Sequence, residues 1–412
     1  MTMKPPVRVM VVSRLFAGFA DGLAERAWQP KGVPAAYKLF EALGKNKNVD
    51  LLTVFVAKEP AECRFSRFLS FDLSPLGRVV ILPWVQSPWL ARLKLDGKLR
   101  EMGHLLRCLW LYLRFRPDVA YFTNATFPTA AVFARLGLCK VVLRLLGLHP
   151  DQVKISERPG GIQKWLYHSP FDHVICTLDG SGPEHHLNGL IAPAVPRSIW
   201  LNGVDFRAPD EDAQAIIEEK YPLNGPPIIL FVGRLEWNKG CREFIEAIFK
   251  VLNKNPLALR AVLVGGGGLK DELAEKIKAA SAQDKVYLAG AVPYSDISAW
   301  LARADIYVSL NMFGNLSNAN LEALAAGKCM IILDSDPAMH TDEETDRLIP
   351  AEAVLRIGRD SIVENLALAL MSLSDDRERI KAQAGRAKKF SSRFLKSWDE
   401  RISQEVELIL GL

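Results

Sequence analysis

The chain has 412 residues, of which 49% are hydrophobic and 24% are charged. This is the profile of a soluble globular protein, and the length is comfortable for two domains with sizeable cores. The net charge is +5, but residues 1–200 hold 26 Lys and Arg against 15 Asp and Glu, so the basic charge lies in the first half. A basic half indicates an anionic partner such as phospholipid, a polyphosphate lipid or nucleic acid.

Several classes of protein are disfavoured by what the sequence lacks. The six cysteines are widely scattered without a CxxC pair or a histidine at zinc-ligand spacing, which fits free thiols in a reducing cytoplasm. No window reaches the ~20 apolar residues of a membrane span, and Arg8 and Arg14 interrupt the first apolar run, which argues against a signal peptide. P-loop, GxSxG and HExxH motifs are missing, and no nucleic-acid-binding module is recognisable.

The first half alternates short β-rich runs with helical patterns, which predicts a doubly wound parallel sheet. Gly32, just before a helix predicted near residues 35–43, would let the backbone approach a ligand closely, or it is an ordinary helix entry. The predicted strands are residues 7–13, 51–56, 79–82, 119–122, 141–145, 173–177 and 197–201.

One segment of this half differs from the rest. Residues 89–116, from Trp89 to Arg116, mix aromatic residues and leucines with seven Lys and Arg residues. A basic amphipathic helix of this kind can lie on an anionic membrane surface. The alternative is a helix that covers the sheet and exposes a solvated basic face, and Gly97 and Gly103 argue against a single long helix.

A proline-rich crossover at residues 191–197 leads into a second half that repeats the strand–helix alternation. Ser295 is predicted to cap a short helix that runs to Ala302. The last helix, near residues 394–410, carries an apolar stripe that needs a partner surface. Further helices are predicted near residues 318–326 and 379–389, and strands at residues 228–232, 260–264, 286–289, 306–310 and 329–333.

Residues 228–240 (IILFVGRLEWNKG) predict a buried strand, a loop and the start of a helix. Gly233 ends the apolar run, and Arg234 and Lys239 follow in the short loop. Two cations would thus lie between the carboxyl end of a strand and the amino end of a helix, where free N–H groups already favour an anion. The pattern favours a diphosphate site, the alternative being two solvated cations in a surface loop.

Residues 311–327 (NMFGNLSNANLEALAAG) form the second informative stretch. Loop amides and the free N–H groups of the following helix would bind sugar hydroxyls or phosphate, and Glu322 would accept hydrogen bonds from a vicinal diol such as ribose. The alternatives are a solvated Glu322 and simple N-capping by Asn318. The glycine run that begins at Gly265 predicts a tight turn near a ligand, but it lacks the GxGxxG spacing of an NAD site.

Five segments follow LNGVD in a fixed order: FVGRLEWNKG, VLVGGGG, LAGAVP, ADIYVSL and LEALAAGKCMIIL. This series resembles the retaining glycosyltransferases of family 4. The resemblance implies an α/β protein with the GT-B fold, in which two Rossmann-like doubly wound parallel-sheet domains face each other across a cleft. Here these domains would be residues 1–200, on the acceptor side, and residues 201–391, on the donor side. A final helix, residues 392–412, would return to the first domain.

The resemblance also implies roles for individual residues. Arg234 and Lys239 match the pair that clamps the donor diphosphate and acts in catalysis, and Glu322 matches the carboxylate that holds the ribose. No metal or other cofactor is implied, because the two cations supply the positive charge that the leaving group requires. The other implied donor-binding positions are Gly32, Gly233, Gly265, Gly290, Asn315, Asn318 and Ala319.

The chain departs from the family pattern at two places. Eight positions before Glu322 the family usually has a second glutamate that contacts the donor sugar, whereas this chain has Gly314. Asn315 or another loop amide would substitute for it. Many members also carry a histidine after the strand equivalent to residues 141–145, and here His149 lies a few residues later, so Arg144 or His149 would face the acceptor.

We therefore expect a hexosyltransferase that moves a sugar from a nucleotide-sugar donor to a hydroxyl of a lipid-linked or envelope polysaccharide acceptor. Among nucleotide sugars, a UDP-sugar is the expected donor. The anomeric configuration would be retained without a metal, and the protein would be cytoplasmic and peripheral at the inner membrane face. One alternative is a nucleotide-sugar 2-epimerase of the same fold, which would need carboxylates for proton transfer. The other is a non-catalytic scaffold that binds a nucleotide sugar.

Overall fold

The computed structural model describes residues 5–59, 62, 64–84, 96–158, 160–205 and 208–412. They form two compact units, each built around one sheet. Unit 1 comprises Met1–Thr177, Pro183–Trp200 and Trp398–Leu412, and unit 2 comprises Leu178–Gly182 and Leu201–Ser397. The unit bounds therefore differ from the expected domain bounds at two places, because residues 178–182 and 392–397 belong to unit 2.

Unit 1 has an eight-stranded sheet covered by helices. Its strands are β1 (Val7–Arg14), β2 (Val49–Val56), β3 (Leu69–Asp72), β4 (Arg78–Leu82), β5 (Val119–Thr123), β6 (Lys140–Leu145), β7 (His173–Leu178) and β8 (Arg197–Leu201). Its helices are α1 (Ala17–Ala24), α2 (Pro34–Lys45), α3 (Asp96–Phe115), α4 (Phe127–Arg135), α5 (Pro150–Glu157), α6 (Ile162–Tyr167) and α7 (Pro183–Leu190). The strand order is β3-β4-β2-β1-β5-β6-β7-β8, and β3 pairs antiparallel with β4.

The central strand β1 shows why this sheet is buried on both faces. Side chains alternate along a strand, so Val9 and Val11 join the apolar cluster that α1 and α2 cover, while Met10 and Val12 join the cluster under α3 to α7. All four are fully buried. A continuous apolar run is the sequence that such a strand requires.

Unit 2 has a six-stranded sheet in which every pair of neighbouring strands is parallel. Its strands are β9 (Ile228–Val232), β10 (Arg260–Val264), β11 (Val286–Gly290), β12 (Ile306–Ser309), β13 (Cys329–Leu333) and β14 (Leu355–Ile357), in the order β11-β10-β9-β12-β13-β14. The helices are α8 (Glu211–Lys220), α9 (Cys241–Lys254), α10 (Lys270–Ala279), α11 (Ile297–Arg303), α12 (Asn318–Ala325), α13 (Glu343–Leu348), α14 (Ile362–Ser374) and α15 (Arg377–Ser391).

The predicted strands are present with ends that shift by one or two residues, and two short strands, β3 and β14, were not predicted. The capping role given to Ser295 is wrong. Asp296 holds the N-cap position of α11, and Ser295 lies in a 3-10 turn where its Oγ donates to Asp296 Oδ1 at 2.7 Å. The argument against one long helix is also wrong, because α3 continues through Gly103 for 20 residues. Residues 89–95 of that segment lie outside the described residues.

The last helix of the chain, α16 (Trp398–Gly411), packs within unit 1 through a buried polar cluster. Glu405 Oε1 accepts from the Tyr121 hydroxyl at 2.5 Å and lies 3.2 Å from Arg144 Nε, and Glu405 Oε2 lies 2.9 Å from Arg401 Nη2. Burial raises the pKa of Tyr121 well above its ordinary value, so the hydroxyl stays protonated and donates. Arg144 is 1% exposed, so the expectation that it faces an acceptor is wrong.

We expect Glu405→Ala to destabilise unit 1 by about 3–5 kcal/mol, because it leaves Arg144 and Arg401 buried without their carboxylate. Chemical unfolding followed by circular dichroism measures the change. The control is Glu407→Ala on the same helix, where the side chain is exposed and the expected change is within about 0.5 kcal/mol. Equal unfolding midpoints for the two variants would contradict a stabilising role of the cluster.

Candidate functional site

The strand order of unit 2 reverses between β9 and β12. Strands β10 and β11 continue on one side of this pair, and β13 and β14 continue on the other. The loops that follow β9 and β12 therefore leave the same edge of the sheet in opposite directions, and ligands of such sheets bind in the crevice between them. These loops, residues 233–240 and 310–317, are the two stretches that the sequence singles out.

The two loops touch each other directly. Met312 N donates to Asn238 O at 3.0 Å, and the rings of Trp237 and Phe313 lie 5.7 Å apart and perpendicular. Gly240 has a φ of +70°, and a Cβ there would lie 2.3 Å from the Cβ of Leu310. Only glycine therefore lets α9 begin this close to the end of β12.

The predicted pair of cations lies in the loop after β9. Arg234 is 70% exposed, and its Nη1 lies 2.9 Å from Glu236 Oε1. Burial lowers the pKa of Lys239, the positive charge of Arg234 lowers it further, and the charges of Asp179 and Glu236 act in the opposite direction. The charge of Arg234 thus disfavours the charged form of Lys239, and an anion bound beside both cations would offset that effect.

The glycine after β10 has a packing role that the sequence did not reveal. A Cβ on Gly265 would lie 1.8 Å from Gly233 O, and one on Gly267 would lie 2.5 Å from Leu235 O. Leu235 N donates to Gly266 O at 2.9 Å. The loops after β9 and β10 therefore lie backbone against backbone, which fixes the course of the loop that carries the cations.

Gly290, at the end of β11, has a different environment. Its φ is +78°, and a Cβ built on it would meet open space. Its carbonyl accepts from Gly265 N at 2.8 Å, which ties the end of β11 to the neighbouring loop. The space beside the Gly290 Cα is therefore open.

Helix α12 brings the predicted carboxylate to the same edge of the sheet. Ser317 caps the helix by accepting from Asn320 N, and Asn318 and Ala319 are its first two residues. The side chain of Asn318 is engaged, since its Oδ1 accepts from Asn202 Nδ2 at 2.7 Å. The backbone N–H groups of Asn318 and Ala319 lie in the first turn of the helix, where such groups can donate to an anion.

Glu322 lies one turn inside α12 and lines a cavity of about 420 Å³. Burial raises the pKa of its carboxyl to about 7, a hydrogen bond with Tyr294 lowers it, and the charge of Asp205 raises it. The group is thus poised between its two protonation states near neutral pH. The other polar residues that line the cavity are Asp205, Tyr294, Ser295, Ser298, Lys328 and Lys388.

The expectation that the Asn315 side chain binds the donor is wrong. Asn315 is 1% exposed, and Asp342 accepts from its backbone N at 2.6 Å and from its Nδ2 at 2.7 Å. Asp342 also accepts from Thr345 Oγ1 at 2.6 Å, and burial raises the pKa of this carboxyl to about 6. Asn315 therefore holds the loop of residues 310–317 to Asp342 through buried hydrogen bonds.

Gly314 leaves no room for the glutamate of the family pattern. Its φ is +127°, and a Cβ there would lie 2.4 Å from Asp179 O and 2.6 Å from the carbonyl carbon of Gly180. Leu316 N donates to the same Asp179 O at 3.1 Å, and Asp342 N donates to Gly180 O at 2.7 Å. The segment Leu178–Gly182 thus occupies the space into which a side chain at position 314 would project.

Asp179 is a candidate residue that the sequence reasoning missed. Its carboxylate accepts from Ser181 N at 3.1 Å and from Ser181 Oγ, and its charge acts on Lys239. Burial raises the pKa of the carboxyl to about 6. The sequence DGSG indicates a turn after β7, but nothing in it indicates that this turn belongs to unit 2.

The remaining candidates, Gly32 and His149, lie in unit 1, whose strand order reverses between β1 and β5. His149 is the N-cap residue of α5, where its side chain accepts from Asp151 N, and it is 68% exposed. Gly32 has a φ of +70° with open space beyond its Cα. A cavity of about 510 Å³ at this edge is lined by Arg14, Phe16, Lys58, Glu101, Thr123, Asn124, Phe127, Leu146, His149, Gln152 and Tyr167, among others.

Comparison with known proteins assigns a family to part of unit 2. Residues 226–375 match the family described as Glycosyl transferases group 1. Among curated proteins, an alpha-D-kanosaminyltransferase of Streptomyces kanamyceticus is 27% identical over 146 residues. That match covers 35% of this chain and 38% of the relative, so the chain spans well under half of the relative's length.

Solved structures resemble the whole chain. Sucrose-phosphate synthase from Thermosynechococcus elongatus has a TM-score of 0.69 and 16% identity, covering 97% of this chain and 98% of that one. HepE of Anabaena in complex with UDP has a TM-score of 0.69 and 15% identity, covering 98% and 100%. The chain therefore has the GT-B fold, as expected from its sequence motifs, and it carries a glycosyltransferase domain.

We expect Gly314→Ala to destabilise unit 2 by more than about 1 kcal/mol, since its Cβ collides with the backbone of residues 179–180 at a positive φ. Thermal unfolding measures the loss. The matched control is Gly225→Ala, where φ is +97° but the added Cβ meets open space, so only the backbone cost remains. If Gly314→Ala lowers the thermal stability no more than Gly225→Ala does, the backbone of residues 178–182 moves aside at little cost.

Proposed function

We propose that this protein is a retaining glycosyltransferase that moves a sugar from a nucleotide diphosphate donor to an acceptor hydroxyl. The observation that carries the proposal is that Arg234 and Lys239 lie in the loop after β9 and that α12 begins after the loop that follows β12, the two loops that border the crevice of unit 2. A diphosphate is the ligand that two cations in such a loop and helix N–H groups fit. The family match over residues 226–375 supports the same reading.

Different residues bind the diphosphate, the ribose and the base of the donor. Arg234 and Lys239 hold the diphosphate, with N–H groups of Asn318 and Ala319 and the backbone near Gly233 and Gly265 closing around it. Glu322 accepts from the ribose hydroxyls, and the open backbone at Gly290 contacts the base. We propose UDP as the nucleotide, and HepE, whose fold is similar, was solved in complex with UDP.

The reaction exchanges one C–O bond for another. The bond between the anomeric carbon and the diphosphate oxygen breaks, and the acceptor oxygen bonds to the same carbon on the same face of the sugar. The acceptor proton passes to the departing diphosphate oxygen, so no pair of protein carboxylates at glycosidase spacing is required. Arg234 and Lys239 stabilise the negative charge that grows on the diphosphate, which is the charge that fixed cations stabilise best.

The acceptor is proposed to bind in the unit 1 cavity that His149 lines. Phe127 and Tyr167 stack there with ring centroids 4.2 Å apart, and Gln152 Nε2 donates to Asn124 Oδ1 at 2.9 Å. Aromatic side chains beside amides and the Glu101 carboxylate suit a hydroxyl-rich saccharide. We propose a lipid-linked or envelope polysaccharide acceptor and a cytoplasmic enzyme at the inner membrane face.

A donor-turnover assay separates this proposal from its two alternatives. The purified protein is incubated with UDP-sugars with and without acceptor glycans, without added metal, and products are identified by mass spectrometry and NMR. Acceptor-dependent release of UDP with a retained anomeric configuration supports the transferase. If the sugar configuration at C2 changes without acceptor, the protein is an epimerase. If the UDP-sugar binds but is not converted, the protein is a non-catalytic scaffold.

We expect Arg234→Ala and Lys239→Ala each to weaken UDP-sugar binding about 10- to 150-fold, since each removes a charge-assisted hydrogen bond of about 1.5–3 kcal/mol. Isothermal titration calorimetry gives the dissociation constants. Lys250→Ala is the control, because Lys250 lies far along α9 and pairs with Glu364, and its affinity should match wild type. If both site variants bind the UDP-sugar as tightly as wild type, the diphosphate does not bind at Arg234 and Lys239.

We expect UDP-sugar affinity to rise by about 10-fold between pH 6 and pH 8. The pKa of Glu322 is raised to about 7, so the carboxylate that accepts from the ribose is mostly protonated at the lower pH and mostly ionised at the higher. The lowered pKa of Lys239 acts in the opposite sense and flattens the rise at still higher pH. A UDP-sugar is the suitable ligand because its diphosphate does not titrate in this range, unlike the terminal phosphate of UDP.

Glu322→Gln is the control for this pH dependence, because its amide carries no proton that titrates. Its affinity should be lower at pH 8 and nearly independent of pH. A rise with pH that persists in Glu322→Gln would assign the titration to a group other than Glu322.

A further inference from the structure

The outward face of α3 carries a row of apolar side chains that remain exposed in the part of the chain that the structure describes. The spacing of three or four residues places them in one stripe along the helix, about 21 Å long. Their exposed fractions lie between 47% and 69%. The stripe consists of Leu99, Met102, Leu106, Trp110 and Leu113.

The opposite face of α3 already has its partners. His104, Cys108 and Leu111 are buried, and the last two belong to the apolar cluster under the sheet of unit 1. The Tyr112 hydroxyl donates to Leu138 O at 2.6 Å. The inward face of α3 thus supplies its packing against the core of unit 1, and the outward stripe stays about half exposed or more in the described part of the chain.

A row of arginines borders the stripe. Arg100, Arg107 and Arg114 follow each other at intervals of seven residues, so they lie along one edge of the helix. The guanidinium of Arg114 lies 5.0 Å from the ring centroid of Trp110, which places charge directly beside the apolar surface. The sequence from Met102 to Phe115 contains no Asp or Glu.

The apolar surface extends beyond the helix. Phe68, which is 43% exposed, packs perpendicular to Trp110 with ring centroids 6.2 Å apart. Exposed apolar residues are normal when they are scattered, but a contiguous patch bordered by charge indicates a binding surface. In the described part of the chain no helix is long and apolar enough to cross a membrane, so α3 is a candidate for lying on a surface.

We propose that α3 is a docking face for an anionic lipid surface. The helix lies in the plane of the membrane with its stripe among the first acyl carbons, and Arg107 and Arg114 contact headgroup phosphates. A second copy of the chain fits less well, because the same face on a partner offers arginines and no carboxylates from Met102 onward. The proposal concerns unit 1 alone and does not depend on the donor chemistry.

Co-sedimentation with vesicles tests this docking face. The full chain is mixed with phosphatidylcholine vesicles with and without phosphatidylglycerol, at low and at raised salt. Wild type should bind the anionic vesicles and be released by salt, because headgroup contacts are screened. The double variant Leu106→Gln with Leu113→Gln should lower the partition coefficient at least about 10-fold for each leucine.

Two further variants complete the test. Arg107→Gln with Arg114→Gln should lower binding to anionic vesicles about 5-fold per arginine and leave the weak binding to neutral vesicles unchanged. Leu368→Gln is the matched control, because Leu368 lies on α14 of unit 2 and is 61% exposed, close to the 59% of Leu106. It should bind as wild type does, and circular dichroism checks that all variants are folded.

The outcomes divide cleanly. Anionic-lipid binding that is lost in both double variants and kept in Leu368→Gln supports the docking face. Absence of binding to anionic vesicles, or binding that survives both double variants, would overturn it. A dimer seen by light scattering without lipid that Leu106→Gln with Leu113→Gln dissociates would also overturn it, in favour of a second copy on this face.

Discussion

The reversal of strand order between β9 and β12 is the constraint on which the candidate site of unit 2 depends. Parallel strands need crossover helices, and a reversal makes two successive crossovers depart on opposite sides, which leaves a crevice at the carboxyl edge. Arg234 and Lys239 lie in the loop after β9, and α12, capped by Ser317, begins after the loop that follows β12. Gly240 then allows α9 to begin in contact with Leu310, so the two loops form one surface.

Glycine at position 314 changes what that surface contains. A glutamate there would point a carboxylate toward the sugar in the pattern this chain resembles, but the backbone of residues 178–182 fills the space. The same segment brings Asp179, whose charge acts on Lys239, so a carboxylate still lies near the cation although it enters from another part of the chain. The turn at residues 178–182 therefore requires that position 314 carries no side chain.

The buried strands, the order of elements and the cations of the candidate site could be predicted from the sequence. Continuous apolar runs between turn signals specify strands buried on both faces, and the Arg234–Lys239 spacing is local. The roles of Asn315, Arg144 and Asp179 could not be predicted, because each depends on a partner distant in sequence: Asp342, Glu405 and Lys239. Polarity alone does not tell whether a side chain faces a ligand or a buried carboxylate.

Three carboxyl groups around the crevice have raised pKa values, about 6 for Asp179 and Asp342 and about 7 for Glu322, and burial is the main cause in each. Burial in the folded chain disfavours the ionised state of each of these groups. Ribose hydroxyls on Glu322 and a diphosphate on the two cations would offset part of that cost. Binding of the proposed donor would therefore favour the ionised form of Glu322.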